Sequence, residues 1–306
     1  MRLAGNWAAC DSHLFLGNFT QTVQYADVIL ARYDAERDRH MAYLIHHDPK
    51  SVALGYKAAA EWHLGYPDRA IASGMAALDN ANLRKHAFDV CWANVFVPVW
   101  VFNEAGDTDS FAASLERCER LALEQGLPFF TNFCCPHGRG LLWLQSGRVS
   151  EACARLKETI PRWRDMGFAI AAPAAYTALA EGLLNRNDVD SALSLVKQAL
   201  QQIERPGWGE RMGLSNTLRV KALALQASGE IERAETTFLE ALRVACSQQA
   251  KSDELRAATS YARFLREQSK ICEALSLLQP VYDWFTEGFD TKDLKEAKAM
   301  LDDLRG

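Results

Sequence analysis

Six short stretches of the chain end in the same way: an apolar run, a turn residue, and a small or aromatic residue five positions on. They read HLGYPDRA, NEAGDTDSF, WLQSGRVSEA, LLNRNDVDSA, LQASGEIERA and REQSKICEA. The turn residues Gly65, Gly106, Gly147, Asn187, Gly229 and Ser269 are spaced 41, 41, 40, 42 and 40 residues apart. Five positions after each come Ala70, Phe111, Ala152, Ala192, Ala234 and Ala274, and seven further on Ala77, Cys118, Thr159, Ala199, Ala241 and Val281. Gly or Asn just past a helical pattern supplies the left-handed residue that ends a helix, and small residues at fixed helical positions let a second helix lie close. A fixed period of this kind constrains the fold more than any single motif. Each unit is predicted to be a helix–turn–helix hairpin.

Alternating β-branched runs bounded by hairpin turns are nearly absent, so the prediction is all-α. A seventh unit opens the chain, LFLGNFTQTVQYADVILARYD, with Gly17 at its turn, 48 residues before Gly65. The longer gap ends in Asp48-Pro49, a start signal for the next helix. A turn Gly, then Ala five later and Ala seven after that, resembles the tetratricopeptide repeat. The period exceeds that repeat's usual length by about seven residues, roughly 10 Å of extra helix shared between the two helices of a unit. The resemblance implies an α-solenoid of about seven repeats, wound as a right-handed superhelix with a concave groove. One domain over 1–306 is expected, with units near 1–36, 50–90, 91–130, 131–170, 171–212, 213–252 and 253–306.

Composition narrows the function. Lys and Arg total 34 against 39 Asp and Glu, a net charge of −5 with no basic run able to neutralise several phosphates, which argues against nucleic acid. The longest apolar run, VFVPVWVF at 95–102, falls far short of a membrane span, and the N-terminus lacks the apolar core of a signal peptide. A cytoplasmic location follows as an expectation. The eight cysteines form no CxxC pair or disulfide-scaffold spacing and are read as reduced, mostly as small core residues. No phosphate loop, HExxH, GxSxG or kinase set is present, so no cofactor, metal or catalytic residue is predicted. Asp188 and Asp190 sit in an inter-helix turn and read as a helix cap.

The stretch FCCPHGRG at 133–140 is the one cluster of reactive side chains, and it has no second ligand pair for zinc. Counted from Gly147, it falls in the first half of a first helix, with Pro136 in the opening turn or at a kink and Gly140 where helices approach. In tetratricopeptide arrays certain first-helix positions face the groove. By that resemblance the groove residues are Trp62, Phe96, Trp100, Cys134, His137, Glu181, Arg219, Arg256, Arg263 and Arg266, aromatic toward the N-terminal half and basic toward the C-terminal half. Aromatic side chains suit peptide anchors, and Arg suits carboxylate or phosphate.

QQAKSDELRAATSYARFLREQSKICEALSLLQPVYDWFTEGFDTKDLKEAKAMLDDL, residues 248–304, and RDRHMAYLIHHDPKSVALGYKAAAEWHLGYPDRA, residues 37–70, resemble the C-terminal repeat region of bacterial class III adenylate or guanylate cyclases and related STAND-type predicted ATPases. WFTEGFDTKDLKEA is the most specific motif of the likeness. The resemblance implies a regulatory arm whose repeats sense a partner while other domains carry the chemistry. CCPH and ERPGWGERMG at 204–213 depart from the family's pattern around Trp208 and Glu210. A non-catalytic module for protein or peptide is therefore expected. The alternatives are a receptor for an anionic metabolite, held by Arg219, Arg256 or Arg263, and a thiol enzyme using Cys134 or Cys135 with His137. Trp7, Leu14 and Phe15 in the first helix are expected to lack cover, as in a cut fragment or a self-association face.

Overall fold

The computed structural model describes residues 2–165, 170 and 172–306, and their regular secondary structure is entirely helical. The fold is an all-α array of helical hairpins, the solenoid class that the period predicts. The chain divides into two compact units, Met1–Trp62 with Pro67–Ala169, and His63–Tyr66 with Ile170–Gly306.

The first unit holds α1 (Arg2–Phe15), α2 (Phe19–Arg32), the short α3 (Met41–Leu44), α4 (Pro49–His63, up to Trp62), α5 (Pro67–Arg84) and α6 (Ala87–Val97). A π-helical turn at Pro98–Phe102 leads into α7 (Asn103–Ala105), then α8 (Thr108–Glu124). A second π-turn at Phe130–Cys134 leads into α9 (Cys135–Gln145), followed by α10 (Val149–Asp165). The second unit holds α11 (Ala172–Leu184), α12 (Val189–Ile203), α13 (Leu214–Ala227), α14 (Ile231–Ser247), α15 (Lys251–Glu267), α16 (Ile271–Asp283) and α17 (Lys292–Arg305).

The turns explain the hairpins. Gly17, Gly65, Gly106, Gly147, Asn187, Gly229 and Ser269 all have positive φ, between 60° and 90°. After the turn the chain closes the helix it leaves. Glu230 N–H donates to Leu225 O at 2.9 Å, Lys270 to Leu265 O at 2.9 Å and Arg148 to Trp143 O at 2.8 Å. These bonds satisfy carbonyls that the last helical turn would otherwise leave open. The next helix then starts on a side-chain cap: Asp107 accepts from Ser110 N–H at 3.0 Å and Asp188 from Ser191 N–H at 3.3 Å. Asp48 caps α4 in the same way, through the N–H groups of Lys50 and Ser51, both at 3.1 Å.

Close packing of the hairpins depends on missing side chains. A Cβ on Gly140 of α9 would lie 2.6 Å from Leu156 Cδ2 on α10, and one on Gly55 of α4 would lie 2.7 Å from the Trp92 ring of α6. In the second unit a continuous core runs from Ala222 and Phe238 through Phe264 and Leu278 to Leu294 and Leu301. Helix α17 buries Leu294, Ala297, Met300, Leu301 and Leu304 and turns Lys295, Lys298 and Asp302 outward. In the first unit Leu14 is fully buried, Phe15 is half-buried, and the Trp7 ring packs 5.9 Å from His47. The expectation that these three side chains lack cover is thereby corrected, because α2 and the segment before α4 supply it.

Both π-turns sit beside a proline. Pro98 opens the first and Pro136 follows the second by two residues. A proline inside a helix cannot donate to the carbonyl four residues back and clashes with it, and widening one turn relieves both conflicts. Each π-turn takes up one extra residue, so side chains before it are rotated by about 100° from where a uniform helix would place them.

Candidate binding surfaces

In the first unit the aromatic residues gather around α6. Phe96 and Trp100 are half-buried, their ring centroids 5.3 Å apart. Beneath them lie two buried rings, Trp92 and Tyr56. Trp92 is 5.5 Å from Phe96 and 5.8 Å from Trp100, and Tyr56 is 5.7 Å from Trp100. The Tyr56 hydroxyl donates to Asp11 Oδ1 at 2.8 Å, and burial pushes its pKa well up, so it stays a neutral donor. Behind Trp92 stands His47, whose Nδ1 lies 3.3 Å from Asp89 Oδ1. Trp92 and Tyr56, the floor of this surface, were not singled out in the sequence. Trp92 precedes Phe96 by four residues and Trp100 by eight, a spacing that marks one helical face.

Trp62, Cys134 and His137 do not face an open groove: they are 3%, 1% and 6% exposed. The groove positions were carried over from a repeat about seven residues shorter, and in these longer units Cys134, at the end of the second π-turn, and His137, in α9, fall on the buried side. His137 turns instead against Trp163, at a ring distance of 4.4 Å. Burial lowers its pKa to about 4, so the ring is neutral near pH 7. Cys135 is also 1% exposed, and burial pushes the Cys134 thiol up, the opposite of what a nucleophilic thiolate requires. Among the described residues no group of three or more His, Cys, Asp or Glu side chains is placed to hold a metal ion. Nor is any described helix long and apolar enough to cross a membrane.

In the second unit α11, α13, α15 and α17 lie side by side. Their charged residues meet across the helices. Arg219 is 5% exposed, and its Nη2 donates to Glu181 Oε1 at 2.7 Å, its Nε to Asn216 Oδ1 at 2.9 Å and its Nη1 to Ser260 Oγ at 3.4 Å. Burial pushes the Glu181 carboxyl up. The charge and hydrogen bond of Arg219, with Arg256 and Lys292 adding, outweigh that and hold it below its usual value. Arg256 donates through Nε to Asp293 Oδ2 at 3.0 Å, and Arg266 pairs with Asp303. Arg263 is exposed and makes no hydrogen bond or ion pair among the described residues.

The basic character read for this half is therefore largely neutralised, by Glu181, Asp293 and Asp303. The sequence did carry a signal for the last two. Arg256 to Asp293 and Arg266 to Asp303 are each 37 residues apart, close to one period. In the departing segment Trp208 Nε1 donates to Glu210 Oε2 at 2.9 Å, so those two side chains are bonded to each other.

No family model matches the sequence, and no curated protein matches it. Among solved structures the chain is similar to the crystal structure of yeast Tom70, with a TM-score of 0.46 and 15% identity over 94% of this chain. The chain spans 61% of the length of that protein.

Proposed function

We propose that the chain is a non-catalytic helical-repeat module that binds a protein or peptide segment. The observation that supports this most is the half-exposed pair Phe96 and Trp100 resting on the buried rings of Trp92 and Tyr56. Rings already held from below present a large apolar area at little further cost in side-chain entropy, which suits an aliphatic or aromatic anchor of a peptide. In the second unit Arg263, on α15 with Arg256 and Arg266, offers an unpaired guanidinium to an acidic side chain. Trp62, Cys134, His137 and Arg219 are buried and do not touch the ligand. The setting we infer is the one implied by the sequence resemblance: a cytoplasmic sensor arm that controls a nucleotide cyclase or STAND-type ATPase. The free thiols fit a reducing compartment.

The test is a peptide-library screen followed by affinity measurement on Phe96→Ala with Trp100→Ala, and separately on Arg263→Glu. Loss of an aromatic anchor pair weakens binding by tenfold or more, while the helical circular dichroism is retained. Equal affinity in the parent and the aromatic double variant would refute the reading. A small anionic compound retained in native mass spectra and lost in Arg263→Glu would favour the metabolite receptor instead.

A further inference from the structure

We propose that Cys118 and Cys135 are an oxidisable dithiol that closes to a disulfide with a peroxide, making the junction of α8 and α9 a modification site. Besides Cys10 on α1, four free cysteines, Cys91, Cys118, Cys134 and Cys135, are buried in the first unit. They come from α6, α8, the second π-turn and the start of α9. Cys135 Sγ lies 3.4 Å from Cys118 Sγ, and Cys91 Sγ lies 3.9 Å from Cys118 O. An S–S bond is about 2.0 Å long, so the two sulfurs must close by about 1.4 Å.

The sulfur contact is not something the hairpin needs in order to fold. Cys118 occupies the repeat position that is Ala77, Ala199 and Ala241 in other units. A methyl group fills that site in three of the five other units, with Thr159 and Val281 in the remaining two, so the sulfur adds reactivity without being required for packing. The inference is independent of the binding function above, which uses neither thiol.

The pair is held unreactive at rest. The contacts with Cys135 and Cys91, together with burial, push the Cys118 thiol up, so it rests protonated. Reaction proceeds through local opening at the π-turn Phe130–Cys134, which departs from regular helical hydrogen bonding next to Cys135. The opened Cys135 loses its proton to solvent, and its thiolate attacks one oxygen of hydrogen peroxide. The O–O bond breaks, and hydroxide leaves as water after taking up a proton, giving a sulfenic acid. On reclosing, Cys118 sulfur attacks the Cys135 sulfur, the S–S bond forms, and the sulfenic oxygen leaves as a second water with the Cys118 proton. Two thiols lose two hydrogens and two electrons, and the peroxide is reduced to water.

The experiment treats the folded protein with hydrogen peroxide, alkylates the remaining thiols and maps peptides by mass spectrometry without reduction. The expected product is two hydrogens lighter, has two fewer alkylatable thiols, carries a Cys118–Cys135 cross-link and reverts with dithiothreitol. Cys118→Ala, which installs the residue found in three other repeats, loses the cross-link, while Cys134→Ala keeps it. A cross-link between other cysteines, oxidation to sulfinic or sulfonic acid without one, or a Cys118–Cys135 bond that appears only in denaturant would overturn the proposal.

Discussion

His137 carries a cost that pH exposes. Its ring is packed against Trp163, its Nδ1 has no partner among the described residues, and burial lowers its pKa from 6.5 to about 4. Above pH 6.5 the ring is neutral in both folded and unfolded chains. As the pH falls from about 6.5 to about 4 the unfolded chain takes up a proton that the folded one refuses, which removes about 3 kcal/mol of stability over that window. His137→Phe therefore flattens the acid side of a plot of urea midpoint against pH, and parallel curves for the two proteins would dismiss the idea. Gly140 makes the opposite point, that the packing tolerates no more atoms. Gly140→Ala drives a methyl group into the fully buried Leu156, and destabilisation of about 1–3 kcal/mol is expected despite the better helix propensity of Ala. Adding Leu156→Ala removes most of that increment, so a double-mutant cycle reports a coupling well above zero. The site was less legible in the sequence than these packing residues. Counting repeat positions picks out Phe96 and Trp100, which are half-exposed, but also Cys134 and His137, which are buried, because the positions belong to a repeat about seven residues shorter than these units.

At the scale of helices and turns the fold was readable wherever a left-handed residue must be small. Every predicted hairpin turn residue has positive φ, and the caps at Asp48, Asp107 and Asp188 are formed. Lys85 and Gln249 also have positive φ, at 58° and 56°, yet neither side chain advertises it, so the turns between hairpins were hidden. Ser269 is the turn where chemistry and conformation disagree. Its φ of 61° strains a residue with a Cβ, whereas Gly229 holds the equivalent place at 84° without penalty. Ser269→Gly is expected to raise stability by about 0.5–1 kcal/mol and Gly229→Ala to lower it by about 1 kcal/mol. Chemical denaturation of the pair checks this. A loss of stability in Ser269→Gly would mean that its hydroxyl, not its backbone angle, matters at the turn.

For the whole molecule the consequence is how damage spreads. A hairpin array is stabilised by each unit and its neighbours, so a defect is felt along the chain only as far as contacts carry it. Phe238 on α14 is fully buried, its ring 5.5 Å from Tyr261 and 5.6 Å from Phe264 on α15. It belongs to the core that also takes in residues of α13, α16 and α17, and the first unit is compact on its own contacts. Phe238→Ala leaves a cavity costing about 3–5 kcal/mol. Native-state hydrogen exchange should then show amides of α13 to α17 losing protection together, while α6, α8 and α9 exchange as in the parent. Uniform loss along the chain would mean that the two units unfold as one cooperative body, and protection lost in α14 alone would mean that each hairpin stands by itself. The expected pattern lies between these limits because the aromatic contacts of Phe238 reach one helix onward, and the apolar face of α17 closes the same core.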